Sequence, residues 1–388
     1  MNKDSKKVIL FALPDFRGGG AERVFLNLIN NLNRNLFEVH VAVGKIQGEY
    51  QRDLSNEVYL HELGNIRSIH SILPLLKVIW AIKPDITFST LGYVVTSSFA
   101  SIFSPKKTIY IARIGNTLSS FLEEIKKNSR IKFYLQYALN KCVIYLSDSI
   151  IVQSNHMGLD LALAFKLNDK YLKKIIQINN PVEFDSINKS AKKGVIPEIF
   201  NNIFKNNFVF VSVGRLESRK NYEPLLNAFK YVNQAFPSSR LVILGEGKYR
   251  PHLENLIIKL GIENKVILPG FIDNSELIVF HSDFFISSSV YEGVSNAILE
   301  ALALGTPVIA TDCPSGIGEV IVTGENGYLI DLNGDIVKNL SDKMSFVIKE
   351  SKKNNFMNIG QKIKEDFDVK VISKNYEALF FKLIDNKK

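Results

Sequence analysis

Glu292 and Glu300 are separated by the seven residues Gly293, Val294, Ser295, Asn296, Ala297, Ile298 and Leu299, and the two carboxylates bracket the point where a helix should begin. The apolar run Phe284-Phe285-Ile286 precedes Glu292 as a strand, and a helical pattern of apolar residues follows it. Ser295 is the expected N-cap. A helix opening there presents backbone N–H groups and a positive dipole end beside Glu292, a binding place for a phosphate. A phosphate flanked by two carboxylates fits a nucleotide sugar, with one acid gripping hydroxyls of the sugar and the other hydroxyls of the ribose. Spacing alone fits an exposed loop acid and a solvated helix residue equally well, so the rest of the chain has to decide.

Arg215 and Lys220 lie on the loop that follows a strand expected over 208–213. Two cations converging there neutralise a diphosphate leaving group, a central need because a nucleoside diphosphate departs carrying negative charge. Gly18-Gly19-Gly20-Ala21-Glu22 follows the first strand and opens the first helix, where the lack of side chains lets the backbone approach a phosphate or sugar. A dinucleotide turn would need a third glycine at G-x-G-x-x-G spacing, which is missing. Asp366-Phe367-Asp368 spells the D-x-D of metal-dependent transferases but lies near the C-terminus in charged surroundings, far in sequence from the glycine loops, and is read as accidental. With Arg215 and Lys220 to hold a diphosphate, neither a metal nor another cofactor is required. Cys142 and Cys313 stand far apart with no zinc-binding spacing, which suits a reducing, cytoplasmic setting.

The elements that must position these loops alternate along the chain. Strands are expected over 8–13, 38–43, 86–88, 108–112 and 149–153, with a helix over 21–32. The same grammar restarts with a strand over 208–213, a helix over 225–236 and a strand over 241–244. Such alternation predicts an α/β fold with parallel sheets covered by helices. A chain of 388 residues with 46% hydrophobic content can bury two domain cores. The expected division is 1–185 and 186–370, with the polar stretch 186–193 as linker. A terminal amphipathic helix over 371–388 carries Tyr376, Leu379, Phe380 and Leu383 at helical spacing. Lys77 and Lys83 interrupt the richest apolar stretch, so no membrane span is expected. The apolar run over 8–13 leads into Pro14 and a glycine turn and reads as a strand, not a signal peptide.

Net charge is +9, and residues 1–185 carry 23 Lys/Arg against 16 Asp/Glu, leaving 25 against 23 for the remainder. The basicity belongs to the first half. Anionic partners follow for that half, and a membrane surface or a lipid-diphosphate acceptor fits better than nucleic acid, for which no stacking motif or recognition helix is present. The segment from Lys126-Lys127 to Arg130-Ile131-Lys132-Phe133-Tyr134-Leu135 mixes basic, aromatic and aliphatic residues in the manner of an interfacial helix. An ordinary domain helix with a charged face explains it as well.

Taken together, residues 291–310 resemble the E-x7-E signature of the retaining, nucleotide-sugar-dependent glycosyltransferases of family 4, also called group 1. Similar landmarks follow in order: the glycine loop at Gly18 to Gly20, Arg215 with Lys220, Leu244-Gly245-Glu246-Gly247, Val266-Ile267-Leu268-Pro269-Gly270-Phe271, and Asp312-Cys313-Pro314-Ser315-Gly316. The last resembles a subgroup that builds bacterial surface polysaccharides or lipid-linked oligosaccharides. The resemblance implies two Rossmann-like domains facing a central cleft, the GT-B architecture, with the first domain on the acceptor side and the second binding the nucleotide sugar. It implies Glu292 as the catalytic residue that holds the sugar, Glu300 on the ribose, and a donor site of Gly19, Gly20, Arg215, Lys220, Gly293, Val294, Ser295, Asn296 and Ala297. Glu22, Arg113 and Asn116 are the acceptor-side candidates. The implied reaction is front-face transfer with retention, the leaving phosphate helping to take the acceptor proton. The donor is a UDP-hexose or UDP-N-acetylhexosamine and the acceptor a glycan or lipid-diphosphate-linked sugar. The implied location is cytoplasmic, with peripheral contact at an anionic inner-membrane face.

Two positions depart from the pattern. Gly115, in Arg113-Ile114-Gly115-Asn116-Thr117, stands where many relatives place a histidine near the reacting sugar, and His156 is the only nearby substitute, more simply read as a helix-start or surface histidine. Ile317-Gly318-Glu319 lacks the Pro and Arg common before the Glu in that subgroup. A nucleotide-sugar epimerase on the same architecture is the competing enzyme, and a non-catalytic sugar-binding member is the reading that Gly115 favours. A hydride-transfer enzyme is the remote third.

Overall fold

Runs such as Val8-Ile9-Leu10-Phe11-Ala12-Leu13 have no polar alternation, so they are stable as strands only where both faces are covered. The computed structural model, which describes residues 6–64, 68–105, 107–350, 356 and 359–387, places such runs at the centres of two wholly parallel sheets. Lys388, the end of the expected terminal helix, lies outside the described residues. The chain divides into two compact units, residues 1–181 with 367–388, and residues 182–366.

In the first unit the strands are β1 (Lys7–Leu13), β2 (Phe37–Val43), β3 (Tyr59–Glu62), β4 (Ile86–Thr90), β5 (Ile109–Arg113), β6 (Ser149–Val152) and β7 (Ile175–Gln177). Their spatial order is β3-β2-β1-β4-β5-β6-β7. Phe11 lies opposite Val41 on one side and Phe88 on the other. The helix Gly20–Asn31 buries Val24, Phe25, Leu28 and Ile29 on this sheet, with the Phe25 ring 5.3 Å from Phe11 and 4.8 Å from Phe88. The last helix, Val369–Asn386, packs Ile372, Tyr376, Leu379, Phe380 and Ile384 into the same core. Asp368 caps it by accepting the Lys370 N–H at 2.8 Å, so the second acid of the D-x-D has a local structural task.

The second unit repeats the plan with β8 (Phe208–Val213), β9 (Ser239–Leu244), β10 (Val266–Gly270), β11 (Phe284–Ser287), β12 (Val308–Thr311) and β13 (Gly327–Ile330), ordered β10-β9-β8-β11-β12-β13. Here the order reverses between β8 and β11, so the connections leaving their carboxyl ends run off in opposite directions along the sheet. That switch point is where open parallel sheets bind ligands. It is also where residues 214–221 and 288–295 emerge.

One expectation fails. Residues 186–193 are not a linker but the greater part of the helix Phe184–Lys193, because Phe184, Ile187 and Ala191 form a buried stripe beneath the Lys and Ser residues that dominate the composition. Ser190 Oγ donates to Asn274 Oδ1 at 2.9 Å and ties this helix to the second unit.

Candidate active site

The cation loop is shaped before it is charged. Leu216 is fully buried, its N–H donating to the Glu246 carbonyl at 2.9 Å and its own carbonyl accepting from Tyr249, which leaves Arg215 exposed beside it. Gly245 makes this possible: at φ +132 a Cβ would stand 2.1 Å from the Gly214 carbonyl oxygen. A turn over Ser218–Lys220 then ends at Asn221, whose φ of 52 lies in the left-handed region that asparagine tolerates. Lys220 passes back over Gly214, where a Cβ would be 3.0 Å from its Cε.

The loop after β11 is stitched onto that turn. Val290 N–H donates to the Arg219 carbonyl at 2.9 Å, and Ser288 Oγ donates to the Lys220 carbonyl at 2.8 Å. Glu292 is thereby held over both cations, only 6% exposed. Its Oε1 accepts from Lys220 Nζ at 2.5 Å and from Ser289 Oγ at 2.9 Å, while Oε2 accepts from Arg219 Nη1 at 2.9 Å. Burial alone would raise the pKa of this carboxyl, but the charges of Lys220 and Arg219 outweigh it and hold the group below its ordinary value. Arg219 also lies 3.4 Å through Nε from Glu217 Oε2, and despite burial the two carboxylates hold its pKa above the usual value.

Behind Glu292, its N–H donates to the Pro314 carbonyl at 3.3 Å, and Gly316 N–H donates to the Gly293 carbonyl at 2.9 Å. The segment 312–316 thus backs the carboxylate loop. Cys313 is buried there, its thiol pushed up to about 11 by burial, with the Ser315 hydroxyl opposing and the Glu292 charge adding to the rise. Such a thiol is inert near neutral pH.

Ser295 occupies the N-cap of the helix Asn296–Ala303 with extended backbone, but its hydroxyl makes no capping bond; its carbonyl accepts the Leu299 N–H at 3.1 Å. Val294 is buried, whereas Asn296, Ala297 and Glu300 are half-buried along the helix that continues from the Glu292 loop. The structure therefore brings Glu292, Lys220 and the 293–297 segment together, with Arg215 on the same cation loop. Arg219 and Ser289 are the partners that the sequence reading missed. Arg219 is flanked by Ser218 and Lys220, and its only signal was a second cation in the same turn.

In the first unit, Gly18 adopts φ +79, Gly19 is the N-cap of Gly20–Asn31, and Glu22 is buried in its first turn. Arg113 ends β5 and is 3% exposed; its Nη2 donates to Asn180 Oδ1 at 2.7 Å. Burial lowers its pKa, opposed by Tyr376 and, further off, Glu22. The guanidinium of Arg113, an acceptor-side candidate, bonds to Asn180 and lies against Tyr376 of the last helix. Asn116 and Gly115 are half-buried on the loop beyond, and a Cβ at Gly115 would be 3.5 Å from Arg113 Nη1. His156 is exposed at the start of the helix Asn155–Phe165. Among the described residues, no three His, Cys, Asp or Glu side chains are grouped to hold a metal ion.

Two Rossmann-like units of this strand order define the GT-B architecture, and Anabaena HepE, solved with UDP-glucose, matches at a TM-score of 0.78 and 19% identity over 96% of this chain and 99% of that one. The family described as Glycosyl transferases group 1 matches residues 197–364. A Campylobacter jejuni N-acetylgalactosamine-N,N'-diacetylbacillosaminyl-diphospho-undecaprenol 4-alpha-N-acetylgalactosaminyltransferase is 30% identical over 326 residues, 82% of this chain and 84% of that enzyme. An Escherichia coli UDP-Gal:alpha-D-GlcNAc-diphosphoundecaprenol alpha-1,3-galactosyltransferase is 30% identical over 194 residues, 48% of this chain and 50% of that enzyme. The chain belongs to the group 1 glycosyltransferases.

Proposed function

We propose that this glycosyltransferase moves a hexose or N-acetylhexosamine from UDP to a diphospholipid-linked glycan with retention of configuration and without a metal. The observation that carries the reading is the buried, ionised Glu292 carboxylate set beside Lys220 and ahead of the helix Asn296–Ala303. In this reading Glu292 grips the sugar and Glu300 the ribose. Arg215, Lys220 and the backbone over 293–297 receive the diphosphate, and Gly19 and Gly20 also contact the donor. These groups supply the charge stabilisation that the leaving group needs. Glu22, Arg113 and Asn116 serve on the acceptor side, and Arg113 also braces that unit through Asn180.

The acceptor class rests on the two bacterial relatives, whose names specify undecaprenyl-diphosphate-linked substrates. Both names also specify alpha products. The common UDP-hexoses are alpha-linked, so an alpha product is retention. Incubation with UDP-glucose, UDP-galactose, UDP-N-acetylglucosamine and UDP-N-acetylgalactosamine, each with an undecaprenyl-diphosphate-linked sugar and EDTA, tests all three statements. One donor is expected to give transfer in EDTA and an alpha anomeric proton coupling in the product. A beta product, or activity restored only by a divalent cation, would refute retention or metal independence respectively.

Access to a lipid acceptor also needs a surface that meets the bilayer. Among the described residues no helix is long and apolar enough to cross a membrane. The helix Arg130–Leu146 instead exposes Ile131 (83%), Tyr134 (68%) and Leu135 (61%) on one face, next to Lys126, Lys127, Arg130 and Lys132, against which stand only Glu123 and Glu124 nearby in sequence. An apolar stripe edged by cations fits an anionic lipid interface. Flotation with phosphatidylglycerol-containing vesicles is expected to recover the protein, and the combined change Ile131→Ser, Tyr134→Ser, Leu135→Ser to release it. Equal recovery of that variant would remove this face from the proposal.

A further inference from the structure

The two cations on Glu292 are not equivalent. Arg219 is fixed at several points: its carbonyl by Val290 N–H at 2.9 Å, its Nη1 by Glu292 at 2.9 Å, and its Nε near Glu217 at 3.4 Å. A planar guanidinium spanning two carboxylates has little freedom left. Lys220 is a single ammonium on a flexible stem, and its one ion-pair partner among the described residues is Glu292. Should the ammonium leave, Glu292 Oε1 still accepts from Ser289 and Oε2 from Arg219. The carboxylate would keep a donor on each oxygen and a cation beside it.

We infer that Arg219 is a positioning residue, which keeps the Glu292 carboxylate charged and aimed while Lys220 exchanges Glu292 for a phosphate oxygen of the donor. The inference rests on the donor-site reading above and adds a division of labour to it. An incoming diphosphate brings negative charge toward a buried carboxylate, a like-charge approach that favours protonation of the acid or its displacement. Lys220 moves to meet that charge. Arg219 remains, and with it the charge state and direction of Glu292. No covalent step is involved, only the exchange of one ammonium between two anions.

The consequence is a split between donor affinity and turnover. UDP alone serves as the binding probe, and whichever of the four UDP-sugars named above the wild-type chain turns over fastest serves as the kinetic probe. Arg219→Gln is expected to lower kcat by about tenfold or more while leaving the Kd for UDP within about twofold, since UDP carries no sugar for Glu292 to hold. Its acid limb in kcat/KM should move to higher pH, because Glu292 loses a neighbouring cation and protonates more readily. Arg219→Lys should recover part of kcat and bring the limb back toward the wild-type position, whereas Lys220→Met should weaken UDP binding itself. A merely structural role for Arg219 would not move the acid limb.

Glu292→Gln is the reference variant. If it is inactive while Arg219→Gln shows the wild-type kcat and acid limb, the positioning role is overturned and the donor site stands. If Glu292→Gln turns over normally, the donor-site reading falls and the inference with it. Should Arg219→Gln fail to fold, Arg219→Lys decides: a lysine cannot span Glu217 and Glu292 together, so an undiminished kcat in that variant refutes the claim.

Discussion

Replacing Glu292 by glutamine is expected to lower kcat/KM for the sugar donor by about 100-fold or more while the second unit stays folded. Glutamine matches the carboxylate in shape, so the side chain keeps its place beside Ser289, and the backbone N–H still donates to the Pro314 carbonyl; only the charge is lost. An amide cannot accept strongly from Lys220 and Arg219 at once, so both cations turn elsewhere and the grip on the sugar hydroxyls goes with them. Stability should fall too, by about 2 kcal/mol, less than for a fully enclosed pair because Arg219 keeps Glu217 and retains 23% side-chain exposure. The pH dependence follows from the direction of the shift. A carboxyl held below its ordinary value binds protons more weakly when folded than when unfolded, so its contribution is fully present above the unfolded pKa of about 4 and is lost as pH falls through the lower folded value. Thermal melts between neutral and acid pH should show wild type and variant converging on the acid side, and a constant gap would mean that Glu292 is not the charged partner.

The features that were legible in the sequence share a physical cause. Strands such as β1, β8 and β11 lie in the middle of parallel sheets, covered on both faces, and therefore read as unbroken apolar runs. By contrast β3, at a sheet edge with Tyr59 exposed, and the three-residue β7 carry too little apolar pattern to announce themselves. The helix Phe184–Lys193 was hidden for another reason, since lysines and serines on its outer face swamp three buried positions. At the site, Glu292 and Lys220 could be named because their order along the chain follows the strands that position them. Their ion pair could not be read, because the 72 positions that separate them are closed only by the switch between β8 and β11. Arg113 could be named as a charged residue ending a strand, but its bond to Asn180, 67 positions away, could not be read from the sequence.

Ending the chain at Phe367 is expected to unfold the first unit and leave the second intact. The helix that would be lost, Val369–Asn386, places Ile372, Tyr376, Leu379, Phe380 and Ile384 in the core, none more than 7% exposed. Burying each such side chain is worth about 1.5–3 kcal/mol, so the five together come to roughly 8–15 kcal/mol, the size of a whole domain's stability. Deletion recovers the cost of ordering the helix, but it also takes from Phe37 and Phe88 the rings of Phe380 and Tyr376 that pack on them. Arg113 loses Tyr376 in the same step, with its charge still placed at the end of β5. The core around Phe210, Phe229 and Ile286 takes none of its buried members from this helix. Hydrogen exchange on the shortened chain should therefore show β1 and β4 amides unprotected while β8 and β11 keep their protection. Retained protection in β1 would mean that the sheet closes its core without the last helix, and that the return of the chain to the first unit is dispensable for folding.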